Sequence, residues 1–342
     1  MRKCLIVCLC FSVLFLLNRC QKKENPSEIV LTLGAYTVPK EAYQKEIIPA
    51  FQKYWLDRTG QTVVFQESYI GSGAQSRAIA AGFEADVAAL SLEEDVKRLA
   101  KEGLVTHDWK ADVNQGIVTR SVVVFVVRKG NPKRIRTWQD LAREDVQVIF
   151  PSPKTSGGAM WVVNAIYGAG LKVSGMKTET PDPVFAKDLL KSIQRNVKVM
   201  DKSARASVVT FESGMGDVLL TYENEALLRQ LQGMDVDFVI PDPTILIENP
   251  VAVVDSYVNR HQNREVAEAF VEFTLTKDAQ RAFARYGFRP VDSGIASEFS
   301  KQYPEPSMLF DVHYLGGWDQ IHESIYSKNG VWTKVMEELG NE

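Results

Sequence analysis

Past residue 20 the sequence has no cysteine: the four present are Cys4, Cys8, Cys10 and Cys20. A chain cut just before Cys20 keeps one cysteine, at its first position, which excludes an internal disulfide. Histidine is scarce too. His107, His261, His313 and His322 are scattered without metal-ligand spacing, so no metal and no cofactor are expected. Beyond the N-terminus no apolar run is long enough to cross a bilayer, and low-complexity tracts and internal repeats are missing. An excess of positive charge is missing as well. The chain has 40 Lys and Arg against 43 Asp and Glu, a net charge of −3, the wrong sign for a nucleic-acid partner. The serines of GSGAQS at 71–76 lack the GxSxG elbow of a hydrolase nucleophile, which argues against a secreted hydrolase.

What is present begins with Arg2 and Lys3, followed by the apolar run CLIVCLCFSVLFLL ending at Leu17. Two cations before a run of that length read as a secretory signal over 1–19, and the protein is expected to be exported. Leu17, Asn18, Arg19 and Cys20 resemble the processing site of a lipoprotein, with Arg19 where a small residue is usual. Cys20 is therefore the expected lipid attachment point, and residues 20–28 the tether that makes a lipid anchor the only membrane contact. Loss of 1–19 removes three cations and no acid, so the net charge falls from −3 to −6. Any bound anion must then be held by local dipoles rather than by net charge.

At 342 residues the chain is long for one core, and two lobes are expected. From Ile29 onward strand-like and helix-like segments alternate: EIVLTLGAY, then an amphipathic stretch from Val38 to Gly60, then TVVFQESY, AQSRAIAAGF, ADVAALS and LEEDVKRLAKEGLV. This is βαβ order and implies a largely parallel sheet. A long strand follows at 116–132, and the alternation restarts with WQDLARED, VQVIFPSP and AMWVVNAIYGAG. The expected fold is α/β and two-lobed, each lobe a mostly parallel sheet flanked by helices. Residues 29–120 and 250–342 form the first lobe and 121–249 the second, with a ligand cleft between them at the carboxyl ends of the strands.

Two turns share one design. GSG at Gly71–Gly73 and SGG at Ser156–Gly158 each follow a strand and open a helix. Glycines allow close backbone approach, and the free N–H groups and positive dipole end of the helix behind them suit an oxyanion. Ser72 and Ser156 add hydroxyls. Either turn alone reads as an ordinary helix cap; one in each lobe points to a site.

The segments SYIGSGAQSRAIAAGFEADVAALSL, VVVFVVRKGNPKRIRTWQDL, FPSPKTSGGAMW, VMDKSARASVVTFESGMGDVLLTYENEA and ENPVAVVD, in that order over 29–290, resemble the sulfate- and thiosulfate-binding proteins that feed bacterial ABC transporters. The resemblance implies the periplasmic binding protein fold of the second type. It also implies an extracytoplasmic solute-binding subunit, working as a monomer and not as an enzyme, with ABC permease and ATPase subunits as partners. Such proteins hold a dehydrated dianion, here sulfate or thiosulfate; molybdate or tungstate binding, or an anion-sensing receptor subunit, are the alternatives. By matching motif, Ser72, Ser156, Gly157, Gly158 and the N–H of Ala204 are implied contacts. Tyr222 in TYENEA stands where the family has a tryptophan, Thr37 where it has an aspartate after the first-loop tyrosine, and Ile70 where glycine is common. Glu223 and Glu225 read as acids at a solvated helix start, and Lys154 and Arg205 as cations that bias the field without touching the ligand.

Overall fold

The computed structural model describes residues 28–111 and 114–341; the signal segment, Cys20 and the tether through residue 27 lie outside them. β1 (Glu28–Tyr36) leads into a helical stretch made of α1 (Lys40–Ala42), a π-helical turn over Tyr43–Ile47, and α2 (Ile48–Thr59). The sequence suggests one regular helix there. The widened turn ends two residues before Pro49, which has no N–H for the regular bond to residue 45 and whose ring would crowd that carbonyl. Gly60 ends α2 at φ 73° with its N–H on the Leu56 carbonyl, 2.9 Å away, a backbone conformation that favours glycine. β2 (Thr62–Ile70), α3 (Ser72–Ala80), β3 (Val87–Ala89) and α4 (Glu93–Lys101) follow. β2, β1 and β3 pair in parallel, in that order.

The second set starts with β4 (Ile117–Arg128) and β5 (Val148–Ile149), and between them WQDLARED forms only a 3-10 turn over Trp138–Ala142. Thr137 and Asp140 cap that turn reciprocally, and the Trp138 indole donates to the Pro243 carbonyl at 2.7 Å. Then come α5 (Gly157–Thr178), α6 (Pro183–Arg195), β6 (Val197–Val199), α7 (Ala204–Glu212), β7 (Val218–Tyr222), α8 (Glu223–Leu231) and β8 (Val236–Val239). β7, β5 and β6 pair in parallel. β9 (Thr244–Val253) returns toward the first set.

β4 and β9 join the two sets. β4 pairs with β9 over its first half, to Val122, and with β7 from Val123 onward. β9 pairs with β4 as far as Pro250 and with β3 from Val251. Both faces of β4 are covered: Val123, Phe125 and Val127 belong to the larger core, whereas Val122, Val124 and Val126 pack with Phe211 and Leu219. A strand buried on both faces reads as an unbroken apolar run, which is how SVVVFVV appears in the sequence.

After β9 the chain forms α9 (Asp255–His261), α10 (Arg264–Thr274), α11 (Lys277–Arg285), β10 (Arg289–Pro290), α12 (Ser293–Glu298), β11 (Leu309–Phe310), α13 (Gly317–Ile321) and α14 (Val331–Gly340). α10 and α11, continuous in the sequence pattern, are separated where the Thr276 side chain caps α11 through Ala279 N. Phe270 of α10 packs against Phe51 and Phe65, with ring centroids 5.1 and 4.9 Å away. The last helices lie against α5 and α6. Trp318 packs edge-on to Trp161 at 5.0 Å, the Tyr326 hydroxyl donates to Met160 O at 3.0 Å, and Lys187 reaches Glu338. Among the described residues no helix is long and apolar enough to cross a membrane.

Candidate functional site

Four helix starts meet where the two strand sets face each other: Ser72 of α3, Gly157 of α5, Ala204 of α7, and Glu223 of α8 immediately after Tyr222. The glycines record how closely they meet. A Cβ on Gly71 would lie 2.5 Å from the Thr155 carbonyl and 2.9 Å from that of Lys202; on Gly158 it would lie 2.8 Å from the Tyr222 ring and 3.4 Å from Ala204 Cβ. Ala74 N donates to Thr155 O at 3.2 Å, tying α3 to the turn before α5. The first N–H groups of a helix have no intrahelical acceptor. Among the hydrogen bonds of the described residues, those of Ser72, Gly73, Gly157, Gly158, Ala204 and Arg205 find none elsewhere. Several helix dipoles thus present their positive ends to one small region.

Side chains complete the region. Ser72 is buried, and its hydroxyl donates to Asp95 Oδ2 at 2.6 Å while accepting the N–H of Ser91 at 2.8 Å. The other Asp95 oxygen accepts from Arg98 at 2.8 Å. Ser91 is the hub. Its carbonyl accepts from the Trp161 indole at 2.9 Å and from Asn249 Nδ2 at 3.1 Å, and its hydroxyl lies 2.7 Å from the Tyr222 hydroxyl. Tyr222 is buried, its ring 6.2 Å from that of Tyr36, and burial pushes its phenol well above the ordinary range. Ser156 is buried at the N-cap position of α5 without capping it through its side chain; its N–H is held by Ser152 O at 2.9 Å. At α7 the cap is Ser203, which accepts from Ala206 N at 3.2 Å and leaves Ala204 N–H free. Thr37 lies partly exposed in the turn after β1, and no side-chain hydrogen bond among the described residues joins it to this cluster.

The charges nearby are arranged differently from the sequence reading. Glu223 and Glu225 are buried, not solvated. Arg289 grips Glu223 with two bonds of 2.7 and 3.0 Å. Arg205 lies between Glu41, reached at 2.9 Å through Nη2, and Glu225 at 3.0 Å. Burial would raise the Glu41 carboxyl, but the hydrogen bond and charge of Arg205, with the Glu41 backbone N–H and Arg229, together outweigh this and hold it below the usual range; at Glu225 burial outweighs both neighbouring arginines and the carboxyl stands above it. Arg205 is thus matched by two carboxylates and adds little net charge, and the Lys154 side chain is exposed. Asp217 accepts from Gln147 N at 2.9 Å, away from the cluster.

His107 and His261 pair with carboxylates, Asp255 at 2.7 Å and Asp86 at 2.7 Å respectively. No group of three or more metal-ligating side chains occurs among the described residues. The arrangement offers clustered N–H donors and buried hydroxyls, with Arg205 already committed to Glu41 and Glu225, which suits an oxyanion held by dipoles and stripped of water. The sequence points to the two glycine-serine turns, Ala204 and Tyr222. It gives no sign of Ser91 or Asp95, because a serine ending an apolar strand and an acid in the first turn of a helix are ordinary on their own.

Residues 31–289 match the model of the bacterial extracellular solute-binding proteins. A sulfate-binding protein of Synechococcus elongatus is 42% identical over 94% of this chain and 90% of its own length. A thiosulfate-binding protein of Pseudomonas aeruginosa is 34% identical over 88% of this chain and 90% of its own. Among solved structures, the sulfate-binding protein SubI of Mycobacterium tuberculosis superposes with a TM-score of 0.78 at 39% identity, covering 87% of this chain and 99% of that one. The chain, two-lobed and α/β as its segments indicate, belongs to the bacterial extracellular solute-binding proteins and, within them, to the family of sulfate- and thiosulfate-binding proteins.

Proposed function

We propose that this protein is the exported solute-binding subunit of an ABC importer and captures sulfate or thiosulfate as a dehydrated dianion between its lobes. One observation carries the reading: free N–H groups from α3, on one side of the β4–β9 pair, and from α5 and α7, on the other, converge on a single buried region. The partners are then a membrane permease and its ATPase, the protein acts as a monomer, and it performs no chemistry on the anion. About half a dozen hydrogen bonds to a charged ligand, each worth about 1.5–3 kcal/mol, oppose dehydration and closure. A net of about 8–10 kcal/mol corresponds to micromolar to sub-micromolar affinity.

In this reading the lobes hinge where β4 and β9 change partners, near Val122 and Val251. The first lobe holds β1–β3 with α9–α11. The second holds β5–β8; α13 and α14, which the division at residue 250 assigns to the first lobe, pack on α5 and α6 and go with the second in this reading. Closure brings together surfaces of both lobes that the permease recognises. Calorimetry with sulfate, thiosulfate, molybdate and phosphate tests the ligand: sulfate or thiosulfate binds tightest, and absence of binding by both contradicts the reading.

Cys20, the one cysteine left after cleavage, carries the lipid in this account. Cys20→Ser is expected to move the exported protein from the membrane fraction to the soluble extracytoplasmic fraction. A wild-type protein already wholly soluble outside the cytoplasm contradicts the anchor.

A further inference from the structure

The hydroxyls of Ser91 and Tyr222 lie 2.7 Å apart, and neither has another hydrogen-bond partner among the described residues. Two protons are present and one bond joins them, so one proton remains unengaged. Both oxygens lie against the start of α5: a Cβ on Gly157 would be 2.6 Å from Ser91 Oγ, and one on Gly158 would be 3.2 Å from the Tyr222 hydroxyl. These are the two residues whose N–H groups are free there. The remaining proton is therefore placed beside the donors that the proposed anion would meet.

The chemistry of the pair decides which hydroxyl keeps it. A phenol is a far stronger acid than an aliphatic alcohol, and so the better donor and poorer acceptor. Tyr222 donates to Ser91, and the Ser91 proton is left over. Ser72, one of the two hydroxyls that the sequence favours, cannot take this role as placed, because its proton lies on Asp95 and its oxygen accepts from Ser91 N; Ser156, the other, keeps its own place at the start of α5. Ser91 is also held by its backbone: its N–H is fixed by Ser72 and its carbonyl by Trp161 and Asn249. Replacing only its hydroxyl leaves all of those bonds in place.

We propose that Ser91 is a side-chain hydroxyl donor to the bound dianion and that Tyr222 is a positioning residue acting through it. This rests on the anion-binding reading above. In titrations of the exported protein with sodium sulfate, Ser91→Ala loses about tenfold or more in affinity. Tyr222→Phe loses less, about threefold, and the double variant is no weaker than Ser91→Ala, because one residue acts through the other. Ser91→Cys fills the same space with a weak donor; it keeps the ligand-free melting temperature and still loses the affinity, separating donation from packing. A Tyr222→Phe loss equal to or larger than that of Ser91→Ala, additive losses, or wild-type affinity in Ser91→Cys overturns the assignment. A wild-type protein that binds neither sulfate nor thiosulfate overturns the parent reading and this one with it, whereas tight wild-type binding with unchanged Ser91 variants overturns this one alone.

Discussion

Gly157→Val is expected to lower sulfate affinity about a hundredfold or more, close to 2.7 kcal/mol, while leaving the ligand-free melting temperature nearly unchanged. A Cβ at this position would lie 2.6 Å from Ser91 Oγ, 2.9 Å from its Cβ and 3.0 Å from Leu92 Cγ. All three atoms sit between β3 and α4, whereas Gly157 opens α5 on the other side of the β4–β9 pair. The obstruction therefore falls between the lobes and not within either core. In the proposed hinge motion an open form would accommodate the valine and the closed form would not. Because several charged-group hydrogen bonds form only on closure, each worth about 1.5–3 kcal/mol, keeping the cleft ajar removes more than one of them. Calorimetry paired with thermal melting separates the two effects. Wild-type affinity in the variant contradicts the placement of the site.

Arg205→Ala is expected to have the largest effect on stability. Removing one partner of a buried ion pair costs about 3–5 kcal/mol because the other charge stays behind, and here Glu225 is fully buried while Arg205 is its close partner at 3.0 Å. Arg229, 3.5 Å from the other Glu225 oxygen, compensates in part, so about 3 kcal/mol is the expected loss. The sign of the pH dependence follows from the carboxyl standing above its ordinary range through burial. A carboxyl raised in the folded state binds more protons there than in the unfolded chain, so stability falls as pH rises above the unfolded value of about 4.3. Without Arg205 the carboxyl rises further. The deficit of the variant therefore shrinks as pH is lowered from 7 toward 5. Chemical denaturation at both pH values measures it, and a deficit that grows toward pH 5 contradicts the assignment. Since Arg205 also binds Glu41, across from α7, the same variant is expected to weaken closure.

The alternation of strands and helices was legible because each element has its own apolar period, and the two glycine-serine turns were legible because each breaks that period just before a helix starts. Tyr222 was visible through its motif. Ser91 was not, since what makes it a hub comes from Trp161, 70 residues away, and Tyr222, 131 residues away. The same holds for Ser72, whose proton goes to Asp95, a pairing no local pattern announces. Acids at a helix start usually face water, so the burial of Glu223 and Glu225 is not legible locally; it depends on Arg289 and Arg205, which come from other elements. The C-terminal helices have short, irregular apolar periods, and their packing on α5 and α6 is set by Trp161 and Asn164 rather than by anything in their own sequence.

In the proposed function the site binds a fully deprotonated dianion through donors alone. Sulfate and thiosulfate carry no proton near pH 7, whereas phosphate keeps at least one and needs an acceptor for it. Asp95, the carboxylate bonded to Ser72, has its other oxygen on Arg98, Glu223 is held by Arg289 and Glu225 by Arg205. The buried unmatched proton of phosphate should cost on the order of 1–3 kcal/mol. Competition between sulfate and phosphate for the purified protein at pH 7 measures this directly. Sulfate is expected to be preferred by about tenfold or more; phosphate displacing sulfate at equal concentration rules out a donor-only site.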